Sequence, residues 1–388
     1  MNTNRQTKTT LAHGNDESLA GLGWQSAHGW PMPKRLELAS PEWSVDRALR
    51  ALSQGTGLLW QGDFVAGRTL LQNVKQRLTR KTRQSRAALE ALPWPDRFHR
   101  IRLQRAQTAR QLGGLLIEVA PDYCLEYRRA PDARLALQMA YGDRWQASRF
   151  VMPLTELMGV LSAYEWHRKG LPVTALGQSI YPRWGVFAPT RHEYLDLVMQ
   201  APLREHWCQG ADVGTGTGVL AMLLATRGLN VVASDTNAAA RDCALDNATR
   251  LGLSSQIQVV AEDLIPSGQF DLLVCNPPWL PGHASGPLEA AVYDPDHQML
   301  KGFLKAATGH LKPGGQAWLI LSDLAEHLQL RSRQQLLQWI DEAGLAVTGR
   351  LDAMPTHGKR LDQQDPLAQA RQAEVTSLWL LCSSDETP

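Results

Sequence analysis

The stretch ADVGTGTGVLA, residues 211–221, places three alternating glycines between two short apolar segments. Asp212 precedes the glycines, which gives the pattern D-x-G-x-G-x-G. A glycine loop between a strand and a helix lets the backbone approach a ligand closely, and the start of the helix offers N–H groups without partners inside the helix. The pattern therefore predicts a ligand-binding loop at Gly214, Gly216 and Gly218, with an ordinary tight turn as the alternative.

Two common phosphate-binding loops do not fit this stretch. The dinucleotide fingerprint G-x-G-x-x-G, started at Gly214, requires glycine at position 219, where the chain has Val219. A Walker loop requires G-K-[ST] directly after its glycines, and no such triplet follows them here. The loop is therefore predicted to bind neither NAD nor the phosphates of a nucleoside triphosphate.

Apolar runs alternate with helix-compatible segments through the second half of the chain. The runs are VVAS (231–234), IQVV (257–260), DLLVC (271–275), QAWLIL (316–321), LAVTG (345–349) and VTSLWLLC (375–382). The helix-compatible segments are 217–227, 237–251, 297–311 and 323–343. This alternation predicts an α/β fold with a mostly parallel sheet that is covered on both faces.

Polar residues follow three further strands of this predicted sheet. Asp235 follows the run at 231–234, Asp263 follows the next run, and NPPW (276–279) follows the run at 271–275. Ligands of open α/β sheets bind at the carboxyl ends of the strands. Each aspartate alone could cap a helix, but the repetition at successive strand ends predicts one ligand site along that edge.

The stretch VCNPPWLPG, residues 274–282, ends its strand abruptly because proline has no N–H to donate to a neighbouring strand. Asn276 and Trp279 are thereby placed at the carboxyl end of a buried strand. Further along, Asp294 in VYDPDHQML (292–300) is interpreted as a turn and cap residue, with a substrate-side loop as the alternative.

Together these motifs resemble the class I S-adenosylmethionine-dependent methyltransferases, in particular the amino-methylating group with the signature [ND]-P-P-[YFW], which includes the methyltransferase small and HemK-like enzymes. The resemblance covers residues 181–382. The segment GVFAPTRHEYLDLV (185–198) is similar to the one that precedes the glycine loop in HemK-type glutamine methyltransferases. Trp279 stands where tyrosine or phenylalanine is commoner, and the N-terminal half is longer than the small helical domain of those enzymes.

The resemblance implies a Rossmann-like sheet with strand order 3-2-1-4-5-7-6, in which VTSLWLLC is the final antiparallel strand. It also implies that S-adenosylmethionine is the cofactor. Its methionine part would bind at Asp212 and the glycine loop, its ribose at Asp235, and its adenine at Asp263. The predicted cofactor-binding residues are Asp212, Gly214, Thr215, Gly216, Gly218, Asp235, Asn237, Asp263 and Asn276.

Asn276, Pro277, Pro278 and Trp279 are the predicted catalytic residues. Methyl transfer from a sulfonium is an in-line displacement, so the acceptor nitrogen must direct its lone pair at the methyl group. The side-chain carbonyl of Asn276 and the backbone carbonyl of Pro277 would accept hydrogen bonds from that nitrogen and localise the lone pair. The prolines hold these carbonyls rigidly, and Trp279 offers a face for stacking a base or an amide.

The length of 388 residues predicts two or three domains. We expect a disordered tail (1–20), a basic and largely helical N-terminal domain (21–180) and a methyltransferase domain (181–388). The net charge of +2 divides into +10 for residues 1–180 and −8 for the remainder. Five scattered cysteines without metal-ligand spacing predict reduced thiols and no metal site, and the absence of a signal-like or membrane-spanning run predicts a cytoplasmic protein.

Residues 67–110 carry twelve basic and two acidic residues. Leu71, Val74 and Leu78 recur at helical spacing, which predicts an amphipathic helix followed, after two prolines, by a second basic helix. A solvated charged face and a surface for an anionic partner are equally good interpretations. The candidate substrate-binding residues on the first helix are Lys75, Arg77, Arg80 and Lys81.

The leading hypothesis is an N-methyltransferase that acts on an exocyclic amine of a base in ribosomal or transfer RNA, with the base flipped toward Trp279. The alternative is a HemK-type methyltransferase of a glutamine amide, whose basic half would contact a translation factor or a ribosomal protein. A binding module with a vestigial cofactor pocket is a third possibility. The residues do not discriminate between base and glutamine, because the same pair of carbonyls suits both nitrogens.

Overall fold

The computed structural model describes residues 22–84, 86–355 and 365–386. The predicted disordered tail, residues 1–20, lies outside them. The chain divides into two compact units, one within Met1–Ala91 and His99–Tyr164 and the other within Leu92–Phe98 and Glu165–Pro388. The second unit thus resumes at Glu165, ahead of residue 181, which was predicted as the start of the methyltransferase domain.

The first unit alternates short strands with helices. Its strands are β1 (Gly23–Trp24), β2 (Arg35–Ala39), β3 (Thr56–Trp60), β4 (Leu115–Val119) and β5 (Phe150–Pro153). Its helices are α1 (Val45–Ser53), α2 (Phe64–Gln84), α3 (Arg86–Glu90), most of α4 (Trp94–Leu112), α5 (Arg134–Tyr141) and most of α6 (Leu154–Lys169).

These strands form a five-stranded sheet in the order β1-β5-β4-β3-β2. Strands β2, β3 and β4 run parallel, and β5 is antiparallel to β4. Every residue of β3 is buried, because its apolar side chains are covered on both faces. Helices account for more residues than strands, as predicted, but the sheet itself was not predicted from the sequence.

The two basic helices are present as α2 and α4. Val74 and Leu78 are buried on the inner side of α2, as their spacing predicted. The four candidate substrate-binding residues of α2 are all exposed: Lys75, Arg77, Arg80 and Lys81. Helix α2 is therefore amphipathic, with a cationic face in solvent.

The second unit contains a hairpin and a seven-stranded sheet. Its strands are β6 (Leu171–Val173), β7 (Gln178–Ile180), β8 (Gln209–Val213), β9 (Asn230–Ser234), β10 (Ile257–Val260), β11 (Phe270–Cys275), β12 (Leu311–Ser322), β13 (Leu345–Ala353) and β14 (Thr376–Ser383). Its helices are α7 (Glu193–Gln200), α8 (Val219–Thr226), α9 (Ala238–Arg250), α10 (Pro287–Ala290), α11 (Gln298–His310), α12 (Leu324–His327), α13 (Arg333–Glu342) and α14 (Ala368–Ala373).

The large sheet has the order β10-β9-β8-β11-β12-β14-β13. Numbered within the domain, this is 3-2-1-4-5-7-6, which confirms the predicted fold. Strand β14, the predicted VTSLWLLC strand, is antiparallel to both of its neighbours. Because β8, β9, β10, β11 and β12 run parallel, their carboxyl ends meet at one edge of the sheet.

Apolar cores cover both faces of this sheet. Helix α8, with the sequence VLAMLLAT, buries seven of its eight residues, because it lies against the sheet rather than at the surface. Val173 and Ile180 of the hairpin are buried in the same core, so the second unit includes residues ahead of 181. Among the described helices, none is long and apolar enough to cross a membrane.

The helix-compatible segment 323–343 forms two helices, α12 and α13. The break lies at Ser332, whose side chain accepts a hydrogen bond from the Gln335 amide at 3.0 Å. The Gln335 side chain in turn accepts from the Ser332 amide at 2.8 Å. This capping box starts a new helix, because its paired bonds satisfy N–H groups that a continuous helix would direct at earlier carbonyls.

Candidate active site

The glycine loop leaves β8 and is attached to the end of β9. The amides of Gly214 and Thr215 both donate to the carbonyl of Ser234, each at 2.9 Å. The amide of Gly218 then donates to the carbonyl of Thr215 at 2.9 Å, which closes the turn. The loop therefore has one defined shape at the carboxyl edge of the sheet.

Two glycines of the loop meet very different surroundings. Gly218 has φ +81° and caps α8, and a Cβ placed on it would lie 3.0 Å from Cα and Cβ of Ala244 in α9. Gly216 has φ +55°, and a Cβ there would meet no heavy atom within 4 Å. Gly218 therefore allows α8 and α9 to approach each other, whereas the space beside Gly216 is open.

Asp212 is fully buried beneath the loop. Its Oδ2 accepts from the Thr215 hydroxyl at 2.6 Å and from the Ala221 amide at 3.0 Å. Its Oδ1 has no partner among the described residues. Burial raises the pKa of Asp212 to about 6 against the effect of these two hydrogen bonds, and Asp235 raises it further.

Asp235 and Asn237 link the glycine loop to α9. One carboxylate oxygen of Asp235 accepts from the Gly216 amide at 3.0 Å, and the other accepts from the Asn237 amide at 2.8 Å. Asn237 caps α9 by accepting from the Ala239 amide at 3.0 Å. Asp235 is half-buried and Asn237 is exposed at the edge of the sheet, where both were predicted to contact the cofactor.

Asp263 is exposed and lies three residues beyond β10. The adjoining Leu264 has φ +59°, and its carbonyl accepts from the Ser234 hydroxyl at 2.7 Å. This bond holds the segment after β10 against the end of β9. The structure thus places the predicted ribose and adenine contacts at neighbouring strand ends.

Asn276 and Trp279 form a pair at the end of β11. The indole Nε1 of Trp279 donates to Oδ1 of Asn276 at 2.9 Å. The following Leu280 is fixed by two backbone bonds, one from its own amide to the Val292 carbonyl at 3.2 Å and one from the Asp294 amide to its carbonyl at 2.9 Å. The NPPW segment is therefore held at both ends.

The register between β8 and β11 joins the two predicted motifs. Val274 is opposite Asp212, and Cys275 is opposite Val213. The residues that follow, Gly214 on one strand and Asn276 on the other, thus leave adjacent strands in the same direction. The predicted cofactor loop and the predicted catalytic motif are neighbours because of this pairing.

Trp279 was predicted to offer a face for stacking a base or an amide. In the structure the guanidinium of Arg191 lies over its ring, with Cζ 4.6 Å from the centroid. The indole is half-buried and also packs against the apolar cores on both sides of the sheet. One face is therefore covered, and the edge that carries Nε1 is engaged with Asn276.

Sequence reasoning missed a buried polar cluster beside Trp279. Arg191 donates to Oε1 of Glu193 at 2.6 Å, to Oε1 of Glu374 at 2.8 Å and to the Thr376 hydroxyl at 2.8 Å. Glu374 and Thr376 are fully buried, and Glu193 is nearly so. The sequence shows Arg191 and Glu193 close together in the segment 185–198. The second carboxylate that Arg191 contacts, Glu374, lies 183 residues further along the chain.

Asp294 functions as the predicted cap. Its two carboxylate oxygens accept from the amides of Met299 at 3.0 Å and Leu300 at 3.1 Å, at the start of α11. Met299 is thereby placed near the glycine loop, since a Cβ on Gly214 would lie 2.6 Å from its terminal methyl group. The loop after NPPW therefore contributes an apolar side chain next to Gly214.

The four candidate substrate-binding residues of α2 belong to the first unit. Arg77 forms an exposed ion pair with Asp46 at 3.2 Å. The exposed pair contributes little to the stability of the fold, because solvent screens the two charges and both side chains lose conformational freedom. Arg77 thus remains available to exchange Asp46 for another anion.

The family model described as Methyltransferase small domain matches residues 179–338. A release factor glutamine methyltransferase from Deinococcus radiodurans is 30% identical over 213 residues, which cover 51% of this chain and 72% of that protein. A second protein of that description, from Chlorobaculum tepidum, is 44% identical over 79 residues, 18% of this chain and 27% of its own.

A tRNA1(Val) (adenine(37)-N6)-methyltransferase from Bacteroides thetaiotaomicron is 31% identical over 127 residues, which cover 30% of this chain and 54% of that protein. The chain thus spans only part of several relatives. Among solved structures, a ribosomal protein L11 methylase from Lactobacillus delbrueckii subsp. bulgaricus is 20% identical, covers 48% of this chain and 76% of its own, and has a TM-score of 0.33.

The strand order is the one expected from the sequence resemblance, and the glycine loop and NPPW lie at adjacent strand ends of that sheet. The Deinococcus relative matches at 30% identity over more than two thirds of its own length. The chain therefore belongs to the HemK-like class I S-adenosylmethionine-dependent methyltransferases.

Proposed function

We propose that this protein transfers a methyl group from S-adenosylmethionine to an exocyclic amine of a base in ribosomal or transfer RNA. The observation that carries the methyl-transfer part is the register of β8 and β11, which places the glycine loop beside Asn276. The observation that favours RNA is the exposed cationic face of α2. The first feature brings the cofactor loop and the acceptor site together, and the second offers positive charge to a phosphate backbone.

The residues at the sheet edge suit the cofactor. Space beside Gly216 would admit it, and Asp235 would accept hydrogen bonds from ribose hydroxyls while it keeps the loop in place. Asp212, whose Oδ1 has no partner among the described residues, would act from beneath the loop by holding Thr215 and Ala221 where the methionine part binds. Asn237 and Asp263 flank the same edge. The bound cofactor would supply an electrophilic methyl group on a sulfonium.

Asn276 would orient the acceptor amine. Its Oδ1 has two lone pairs, and Trp279 uses one of them. The second lone pair can accept from one N–H of the acceptor, and the backbone carbonyl of Pro277 can accept from another. These two bonds would localise the nitrogen lone pair and direct it at the methyl group. Pro277 and Pro278 keep the backbone of this segment rigid.

The first unit would bind the RNA backbone. Lys75, Arg80 and Lys81 are exposed along α2, and Arg77 forms a surface ion pair with Asp46. Such residues bind phosphates mainly through charge and release condensed counterions as they do so. Binding that depends on released counterions weakens steeply as salt is added, which gives a measurable signature.

Methylation of a glutamine amide is the second candidate. It is favoured by the release factor glutamine methyltransferases among the relatives, including the Deinococcus protein. The carbonyls of Asn276 and Pro277 suit an amide nitrogen as well as a base amine. In that case the cationic face of α2 would contact a protein surface.

Transfer of tritium from labelled S-adenosylmethionine separates the two candidates. The acceptors are RNA and protein fractions from cells that lack the gene, each treated with ribonuclease or protease as a control. Label in RNA that survives protease supports the base, and label in protein that survives ribonuclease makes glutamine the function. Label in neither fraction contradicts both.

Salt dependence tests the role of α2. Replacing Lys75, Arg77, Arg80 and Lys81 by alanine should flatten the log–log slope of RNA affinity by roughly two to three units, at about 0.7 for each single-strand phosphate contact. A matched variant removes four exposed positive charges elsewhere, at Arg134, Arg144, Arg168 and Lys169. Equal slopes for the two variants would mean that net charge, and not this helix, binds the RNA.

A further inference from the structure

The contact between Arg191 and Trp279 connects the buried polar cluster to the NPPW segment. Building on the proposed function, we infer that Arg191 is a positioning residue that fixes the orientation of the Asn276 amide through Trp279. The residues concerned come from the segment before α7, from the end of β11 and from the start of β14.

Arg191 is fixed by three partners. Its guanidinium donates to Glu193, Glu374 and Thr376 at 2.6, 2.8 and 2.8 Å, and its side chain is only 15% exposed. Glu374 is itself held by the Ser322 hydroxyl at the end of β12. A planar fork bonded at all three nitrogens cannot rotate without breaking charge-assisted bonds.

The fixed guanidinium lies over the indole of Trp279. The separation of 4.6 Å from Cζ to the ring centroid is within the range of a cation–π contact. The ring is thus held between the guanidinium and the apolar cores against which it packs, and this fixes the direction of its N–H. Arg191 is thereby coupled to the geometry of the indole edge.

The indole edge determines which way the Asn276 amide faces. An indole nitrogen can only donate, so the group that it contacts at 2.9 Å must be the carbonyl oxygen of Asn276. If Trp279 moved away, the amide could rotate and present its NH2 group to the acceptor. An NH2 group would then face the N–H groups of the acceptor amine, donor against donor, and the lone pair would lose its orientation.

The cluster therefore supplies a chain of contacts from two buried carboxylates to the reacting nitrogen. This explains why tryptophan stands at position 279. A phenylalanine would keep the ring but lose the N–H that selects the amide orientation, and a tyrosine would carry its donor at a different position. Arg191 contacts neither the acceptor nor the cofactor in this scheme and acts only through the indole.

Arg191→Lys and Trp279→Phe test the inference. The lysine variant keeps a positive charge between the two glutamates but loses the planar fork and its stacking. The phenylalanine variant leaves the ion pairs intact and removes the indole N–H, so it carries the test if the lysine variant fails to fold. Arg350→Lys is the matched control, because Arg350 of the edge strand β13 lies over the ring of Trp379 in β14, with Cζ 5.2 Å from the centroid.

The first measurement is tritium transfer into whichever fraction the wild type labels. Arg191→Lys and Trp279→Phe should each lower kcat at least tenfold, with the affinity for S-adenosylhomocysteine within about threefold of wild type. Arg350→Lys should match the wild type in both. Unchanged kcat in Arg191→Lys or in Trp279→Phe overturns the inference, as does an equal loss in Arg350→Lys.

The second measurement does not need a substrate. In the indole region of a nitrogen–proton correlation spectrum, Trp279→Phe identifies the signal of Trp279. That signal should shift in Asn276→Ala and in Arg191→Lys, and stay in place in Arg350→Lys. If the wild type methylates nothing, the proposed function fails, and the spectrum alone then decides the inference. If the Trp279 signal does not shift in Arg191→Lys, the inference is overturned.

Discussion

Replacing Gly218 by alanine should destabilise the second unit far more than the same change at Gly216. A Cβ at position 218 would lie 3.0 Å from Cα and Cβ of Ala244, so a helix backbone would have to move. Overpacking of this kind costs about 1–3 kcal/mol. The positive φ of +81° adds about 1–2 kcal/mol, since an L-residue in the left-handed region is strained.

The change at Gly216 isolates the strain contribution. Its φ of +55° is also left-handed, but no heavy atom lies within 4 Å of the added Cβ. The expected loss there is about 1–2 kcal/mol from strain alone. The two variants should therefore differ by the packing contribution of about 1–3 kcal/mol, with Gly218→Ala the less stable.

Scanning calorimetry without added cofactor measures this difference. For a unit of this size, each kcal/mol lowers Tm by about 2–4 °C, so Gly218→Ala should melt roughly 2–12 °C below Gly216→Ala. Circular dichroism before heating confirms that both variants are folded. Equal melting temperatures, or the reverse order, would refute the assignment of Gly218 to the packing of α8 against α9.

Three further changes test the site. Asp235→Ala should weaken binding of S-adenosylhomocysteine by at least tenfold in calorimetry, since each lost charge-assisted bond is worth about 1.5–3 kcal/mol; wild-type affinity would contradict the ribose assignment. Asn276→Ala should abolish most turnover and leave cofactor affinity within a few fold, and activity within tenfold of wild type would exclude its orienting role. Because the pKa of Asp212 is raised to about 6, its stabilising effect is present below about pH 4 and lost by pH 7. Asp212→Asn should therefore gain about 2.5 kcal/mol relative to wild type between those two pH values in denaturant titrations, and a difference independent of pH would contradict the burial of that charge.

The large sheet was predictable because six of its seven strands contain a separate apolar run, and the glycine loop marks the end of the remaining strand, β8. The run IQVV at 257–260 coincides with β10, and NPPW follows β11 directly. Asp294 was identified correctly as a cap, because turn residues act on amides only a few positions away. The pairing of neighbouring strands then followed from the family resemblance.

The sheet of the first unit was missed because its strands are short and separated by long basic helices. TGLLW and LLIEV, the sequences of β3 and β4, have only five residues each and lie at opposite ends of the segment 61–114. A short apolar run has no distinctive periodicity, so it can be read as a strand or as part of a helix. The basic residues of α2 and α4 are the stronger pattern in this part of the sequence, and they indicate helices.

The cluster around Arg191 could not be predicted from local sequence at all. Glu374 reaches the guanidinium only because β14 is inserted between β12 and β13. A lone arginine in a loop carries no sign that it will be buried with two carboxylates. The covered face of Trp279 follows from the same long-range contact.

The insertion of β14 also has a consequence for synthesis of the chain. Arg191 is 183 residues ahead of its partner Glu374. At about 5–20 residues per second, the ribosome needs roughly 10–40 s to deliver that partner after Arg191 has been made. From the completion of β12 at Ser322 until β14 is made, β12 lacks its antiparallel neighbour and exposes an unpaired edge, which is a site for aggregation or for chaperone binding. The enzyme therefore becomes competent late, and slowing translation before residue 374 should lower its soluble yield.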